Sequence, residues 1–310
     1  MKAEPTTAGL FGQNVFVTTT EGEFVLRGAP HWVKGPNDTT YRQEDRWQFS
    51  KERYFAGLLH ERGVPTPWPM LHDQTSDIFG WPYLVMPRMP GQCFDERSIR
   101  KTLSLDDQRG VAVALGEMLA RMQQLTSPFA GNFDVDTIEL TAHPGGPIRY
   151  VIDEVARFAE AAKESLTPQD LAWIEVAGSR ALAAGERPNT YVHCDYKLNN
   201  LTVSRDSGVW RVTGLFDLHE AHFADGVLDI VRQACSYLDT EPELARVFVQ
   251  SYLDRVAPDA RLAEFMPLYV FNDRMKFWEF FARPEAADWR KGRTFTEWTE
   301  RYIEAIVALL

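Results

Sequence analysis

The stretch HCDYKLNN, His193 to Asn200, sets an acid, an ammonium and two amides between two apolar segments, Tyr191-Val192 and Leu201 to Val203. A carboxylate such as Asp195 can accept a hydrogen bond from a hydroxyl, turn it toward an electrophile and finally take its proton. Lys197 supplies positive charge for the oxygens of a transferring group. Downstream, LTV and WRVTGLF flank SRDSG, so two strand-like runs around a glycine-bearing turn predict a hairpin. A hairpin returns its outer ends to each other, which brings Asn200, just before the first strand, beside Asp217, just after the second. One amide oxygen and one carboxylate are hard donors, suited to a magnesium ion that also binds phosphate oxygens. These residue types in this order point to phosphoryl transfer, with Asp195 and Lys197 expected to be catalytic and Asn200 and Asp217 expected to hold the metal.

These groups need a scaffold, and the chain reads as a sheet-rich beginning followed by a helical remainder. Residues 14 to 27, NVFVTTTEGEFVLR, predict two strands around a Glu-Gly turn. A helix is expected from about Arg42 to Arg62, ended by Gly63 and the proline-rich VPTPWP. WPYLVM, residues 81 to 86, is a candidate buried strand, and PRMPG punctuates the chain before the helices. Ser104 with Asp107, Thr167 with Pro168, and Thr294 or Thr296 are helix-start signals. Val111, Leu115, Met118, Leu119 and Met122 form one apolar stripe, as core helices do.

H-x-D-x-x-x-x-N, then a hairpin and another Asp, resembles the kinase catalytic loop. More narrowly, the chain is similar to the aminoglycoside phosphotransferase/choline kinase family, which keeps this pattern for small molecules. That family often has H-G-D, and here Cys194 stands in place of the glycine. Asp217, Asp225 and Asp229, in FDLHEAHFADGVLDI, match the family's spacing of acids, and Lys197 matches a basic residue of some branches. The resemblance covers most of the chain. It implies an α+β, bilobal protein-kinase-like fold: a small antiparallel-sheet N-lobe, residues 1–86, over the nucleotide, and a larger, mainly helical C-lobe, residues 87–310. The second holds the catalytic loop, metal site and acceptor pocket.

Carried over position by position, the resemblance puts the nucleotide-covering loop at GLFGQN, with Gly12 and Asn14 nearest the phosphates. It makes Arg27 the phosphate-gripping base, with Lys34 as a rival, and Glu52 the helix partner of that base. The hinge that holds adenine falls at Met86 to Met89 and includes Arg88. The implied cofactors are ATP or GTP with Mg2+, and the implied activity is transfer of the γ-phosphoryl group to a hydroxyl of a small molecule. A protein acceptor is disfavoured, because few residues separate Asp217 from the helical LDIVRQACSYL and no Ala-Pro-Glu follows.

Two other readings stand beside this one. Arg27 in place of lysine and a glycine-poor covering loop would fit a nucleotide-binding protein without turnover. Asp217, His219, His222 and Asp225 would suit zinc or iron in a hydrolase. In the kinase-like reading His193, Asp225 and Asp229 brace the loop, and Cys194 is no nucleophile. Net charge of −11 disfavours binding to a phosphate backbone. The longest apolar run near the end, IVALL, is too short to cross a bilayer. Three scattered cysteines and an N-terminus without an apolar stretch predict a cytoplasmic protein. Trp278, Glu279, Trp289 and Glu297, near the C-terminus, could cradle a cationic acceptor. A metabolic hydroxyl compound fits equally, and oligomeric state is not legible.

Overall fold

Alternating β-branched and aromatic side chains build the N-terminal sheet. In the computed structural model the described residues are 1–5, 13–28, 48–75, 77–134, 136–281 and 292–310. Gly12, Lys34, Trp289 and the predicted helical residues before Gln48 lie outside them. Strands β1 (Lys2–Pro5), β2 (Gln13–Thr19), β3 (Gly22–Gly28), β4 (Leu71–Asp73) and β5 (Tyr83–Pro87) pair in the order β1-β2-β3-β5-β4, every pair antiparallel. β5 follows the period of a strand with one face on the core: Leu84 and Met86 are buried, while Tyr83, Val85 and Pro87 are half-buried.

Helix α1 (Gln48–Glu61) packs through Phe49, Glu52, Phe55, Ala56 and Leu59, all buried at helical spacing. Glu52 is the exception on that stripe, a fully buried carboxylate among apolar neighbours. Such a group is tolerable only with a charged partner. Gly63, at φ 71°, then turns the chain, donating its N–H to the His60 carbonyl at 2.8 Å.

The helical region comprises α2 (Glu96–Thr102), α3 (Leu105–Met122), α4 (Gly146–Ala161), α5 (Pro168–Ala183), α6 (Asp229–Thr240), α7 (Pro242–Leu253), α8 (Leu262–Phe281) and α9 (Phe295–Val307). The expected caps are present: Ser104 and Thr167 accept from Asp107 and Asp170 N–H, and Thr294 rather than Thr296 starts α9. Thr296 has another task. Its N–H and hydroxyl both donate to buried Asp170, whose second oxygen holds Thr167, so one carboxylate joins the beginnings of α5 and α9.

Short strands complete the region. β6 (Gly131–Asp134), β7 (Glu139–Ala142), β8 (Thr190–Val192) and β11 (His222–Ala224) form a four-stranded sheet in the order β7-β6-β11-β8. β9 (Leu201–Asp206) and β10 (Val209–Leu215) make the predicted hairpin. Its two-residue turn, Ser207-Gly208, has both φ angles positive, as the strands' right-handed twist favours. The segment linking β5 to α2 is fastened to this hairpin: Gln92 and Val203 exchange backbone hydrogen bonds of 2.8 and 2.9 Å. A Cβ on the preceding Gly91 would lie 2.6 Å from the Val203 carbonyl oxygen, so only glycine allows the approach.

Helices α3 and α7 are in close contact at Gly116, where an added Cβ would meet the Phe248 carbonyl oxygen at 2.5 Å and the Tyr252 nitrogen at 2.9 Å. Gly116→Val is therefore expected to destabilise the protein by about 1–3 kcal/mol through overpacking. Chemical unfolding measures this, and a midpoint unchanged from the parent would show that the helices separate without cost.

Candidate active site

The loop between β8 and β9 is held from below by one face of α6. Asp229, Arg232 and Gln233 lie three and four residues apart, so they share a side of the helix. Asp229 is buried and its carboxylate accepts the backbone N–H of His193 at 2.7 Å and of Cys194 at 2.8 Å. Burial pushes its carboxyl up to about 7, and the two N–H donors pull against that rise. Gln233 accepts the Leu198 N–H at 2.7 Å, and Arg232 Nε donates to Asp195 Oδ1 at 2.8 Å. From the far side, the Tyr196 hydroxyl donates to the Leu115 carbonyl of α3 at 2.7 Å.

His193 closes the loop onto the hairpin. Its Nε2 lies 3.1 Å from the Phe216 carbonyl, and its Nδ1 receives the Asp195 N–H at 3.4 Å. Both contacts call for a neutral ring with the proton on Nε2. Burial pushes the imidazole below its ordinary pKa in the same sense. His193 thus shapes the loop as a neutral ring.

Asp195 is presented by three side chains. Asn200 Nδ2 donates at 2.9 Å to its Oδ2 and to its carbonyl, Lys197 Nζ stands 2.6 Å from Oδ2, and Arg232 takes Oδ1. The carboxylate is about one-fifth exposed, accessible yet fixed in direction.

The hairpin delivers the second acid. Leu201 pairs with Leu215, and the Phe216 N–H reaches the Asn200 carbonyl at 3.1 Å, so Asp217 follows directly opposite the loop's end. Asp217 has left-handed backbone, φ 68°, which turns the chain out of the ladder. Its Oδ1 accepts Arg27 Nη2 at 2.8 Å and lies 2.9 Å from His219 Nδ1. Burial would raise its pKa, but Arg27 and His219 outweigh that and hold the carboxyl well below the ordinary range. The same pairing overcomes burial at His219 and raises its imidazole.

Arg27 also resolves the buried Glu52. Its Nη1 donates to both carboxylate oxygens, at 2.9 and 3.0 Å, so one guanidinium bridges the sheet, helix α1 and the hairpin. Asn14 pairs with Arg27 across β2 and β3. Met86 pairs with Val25 and buries its side chain. Arg88 donates its N–H to the Glu23 carbonyl at 3.0 Å and lays its guanidinium over Phe16, 4.2 Å from the ring centre.

The donor set at the hairpin fits a hard cation. Asn200 spends its Nδ2 on Asp195, and Asp217 spends Oδ1 on Arg27 and His219. Asn200 Oδ1 and Asp217 Oδ2 accept no hydrogen bond among the described residues. Two uncommitted oxygens, one of them on a carboxylate held anionic, are what magnesium takes from a protein while phosphates and water supply the rest.

The remaining acids and histidines are engaged in packing. Asp225 accepts Arg187 Nε at 2.5 Å, the Tyr269 hydroxyl and the Val227 N–H. The His222 ring stacks on Tyr150, with Nδ1 3.0 Å from the Glu220 carbonyl, and burial pushes its pKa down to about 4. Burial pushes the Cys194 thiol up to about 12, so it is a thiol at neutral pH, accepting Lys276 Nζ at 2.6 Å. Two residues expected to cradle an acceptor do other work. Trp278 is buried and donates its indole N–H to Ser165 Oγ at 2.9 Å, and Glu297 closes the capping box with Thr294.

Sequence reasoning missed Arg232, although it had placed the segment in a helix and noted Asp229. Three-residue spacing from Asp229 was the available signal: once that acid braces the loop, Arg232 must face the loop as well. Lys276 gave no such signal, being 82 residues from the Cys194 it touches.

A family model described as APH, phosphotransferase enzyme family, matches residues 2–265. No curated protein sequence matches significantly. Among solved structures, a Ralstonia eutropha protein provisionally assigned as an aminoglycoside phosphotransferase superposes with a TM-score of 0.64 at 13% identity, over 99% of this chain and 89% of that one. A thermostable mutant of aminoglycoside phosphotransferase APH(4)-Ia, in a ternary complex with AMP-PNP and hygromycin B, gives 0.64 at 15% identity, over 99% and 94%. The GDP and kanamycin complex of APH(2")-IIIa gives 0.59 at 16% identity, over 100% and 93%. At such identities the superpositions speak for the fold, whereas the family match spans most of the sequence and includes the loop, the hairpin and Arg27. The chain therefore belongs to the APH phosphotransferase family and is a kinase-like phosphotransferase.

Proposed function

We propose that the protein transfers the γ-phosphoryl group of ATP or GTP to a hydroxyl of a small molecule. The carrying observation is the fixed Asp195 carboxylate on the same loop-and-hairpin unit as the Asn200–Asp217 oxygen pair. Asp195 accepts a hydrogen bond from the acceptor hydroxyl and aims its oxygen at phosphorus. As the new P–O bond forms, the bond from phosphorus to the β–γ bridging oxygen breaks, the nucleoside diphosphate leaves, and the hydroxyl proton passes to Asp195. Lys197 offsets charge on the transferring oxygens. Arg232 and Asn200 hold the two carboxylate oxygens in place, so little reorganisation is needed at the moment of transfer.

Magnesium held by Asn200 and Asp217 would neutralise charge on the phosphate oxygens. Arg27 is the phosphate-gripping residue, positioned by Glu52, with Asn14 on the neighbouring strand, Gly12 in the covering loop and the Met86–Arg88 segment against the base. AMP-PNP and GDP in the similar structures support a nucleotide site without selecting the base.

Asp195→Asn is expected to bind nucleotide like the parent while turnover falls roughly 10²–10⁴-fold, the usual worth of a positioned base. Nucleoside diphosphate release measures it, and near-parental turnover would remove Asp195 from the reaction. Titration calorimetry tests the metal pair separately. Magnesium should strengthen nucleotide binding to the parent, chelation should abolish the gain, and Asp217→Asn should lose most of it. An undiminished gain in that variant would place the metal elsewhere.

A further inference from the structure

Resting on that reading, we infer that the acceptor carries a carboxylate near its hydroxyl, and that Arg232 binds it. A cavity of about 220 Å³ opens beside the catalytic loop, and its lining includes Lys197 and Arg232, the two cations bonded to Asp195. Arg274 adds a third cation, and Glu96 and Asp239 are the carboxylates of the lining.

What distinguishes the two signs is how far each group is already satisfied. Glu96 Oε1 accepts Ser236 Oγ at 2.7 Å and Gln233 Nε2 at 3.2 Å. Asp239 accepts Arg301 Nη2 at 2.8 Å and the Tyr302 hydroxyl at 2.8 and 2.9 Å. Arg274 is buried, with Nε and Nη2 both on Asp273. Arg232 differs. It spends Nε on Asp195, but its nearest Nη approach to a carboxylate is 3.7 Å, to Asp273, too long for a hydrogen bond. Its two terminal nitrogens donate no hydrogen bond among the described residues.

This guanidinium is also fixed before any ligand arrives. Asp195 holds one end, and the central guanidinium carbon lies 4.1 Å from the centre of the Phe277 ring. A planar fork with its donors open is the usual receptor for a carboxylate, and fixing it in advance lowers the entropy lost on binding. Because the same guanidinium touches Asp195, an acid bound to its outer edge sits only a few bonds from a hydroxyl bound to Asp195. That geometry selects a small hydroxy acid. The donors left open in this lining belong to a cation, whereas its carboxylates, Glu96 and Asp239, already accept hydrogen bonds, which favours an anionic acceptor over a polycationic one.

The test needs both binding and turnover. Glycerate, lactate and malate are compared with glycerol and kanamycin, first by thermal shift and calorimetry on the nucleotide-free protein, then by nucleoside diphosphate release with magnesium and ATP or GTP. Hydroxy acids should bind, and Arg232→Gln should weaken them roughly 30-fold or more, as loss of a buried charge partner does. The loss should be much larger for the hydroxy acids than for glycerol, which has no carboxylate for Arg232 to bind. Tighter binding of glycerol or kanamycin, no binding of any hydroxy acid, or equal binding to Arg232→Gln would each overturn the inference. The phosphoryl-transfer reading fails on a different result, loss of magnesium-dependent nucleotide binding by the parent protein.

Discussion

The working loop depends on one buried carboxylate receiving two consecutive backbone N–H groups. Asp229 holds His193 and Cys194 together from below, and Cys194 adopts left-handed backbone, φ 74°, where a side chain is sterically disfavoured. Neither the turn nor the anion is comfortable alone. The carboxylate compensates for the strained turn by satisfying its amides, and the amides compensate for removing the carboxylate from water. From this pair the loop rises to the neutral His193 ring and to Asp195, which Arg232, Asn200 and Lys197 then fix in direction.

From that anchor, charge is distributed along two chains of contacts that meet at the site without merging. One runs from Glu52 through Arg27 to Asp217 and His219, crossing from the sheet to the hairpin. The other runs from Lys197 through Asp195 to Arg232 and weakly to Asp273. Asn200 touches the second chain through its amide nitrogen, and its amide oxygen accepts no hydrogen bond among the described residues. The guanidinium of Arg27 in the first chain serves two acids, a role suited to arginine's several fixed donors and not to the point charge of lysine.

Much of this was readable because it followed local rules. The hairpin announced itself through a glycine turn between strand-like runs, and hairpin geometry alone brought Asn200 beside Asp217. Ser104, Thr167 and Thr294 announced helix starts by their hydroxyls. The Arg27–Glu52 pair came through family resemblance, since nothing local links residues 25 apart. The four-stranded sheet of β6, β7, β8 and β11 stayed hidden because strands of three or four residues carry too little alternation to register. Arg232 was hidden for another reason: its partner lies 37 residues away, and only the rotation of α6 about its axis selects which side chain faces the loop.

The fastening of Gln92 to Val203 limits how the two halves of the molecule can shift against each other. The chain between sheet and helices is no slack tether, because its far end is part of the ladder that carries Asn200 and Asp217 at its open end. The Arg27–Asp217 ion pair ties the sheet to the same hairpin a second time, so the sheet has no single free pivot.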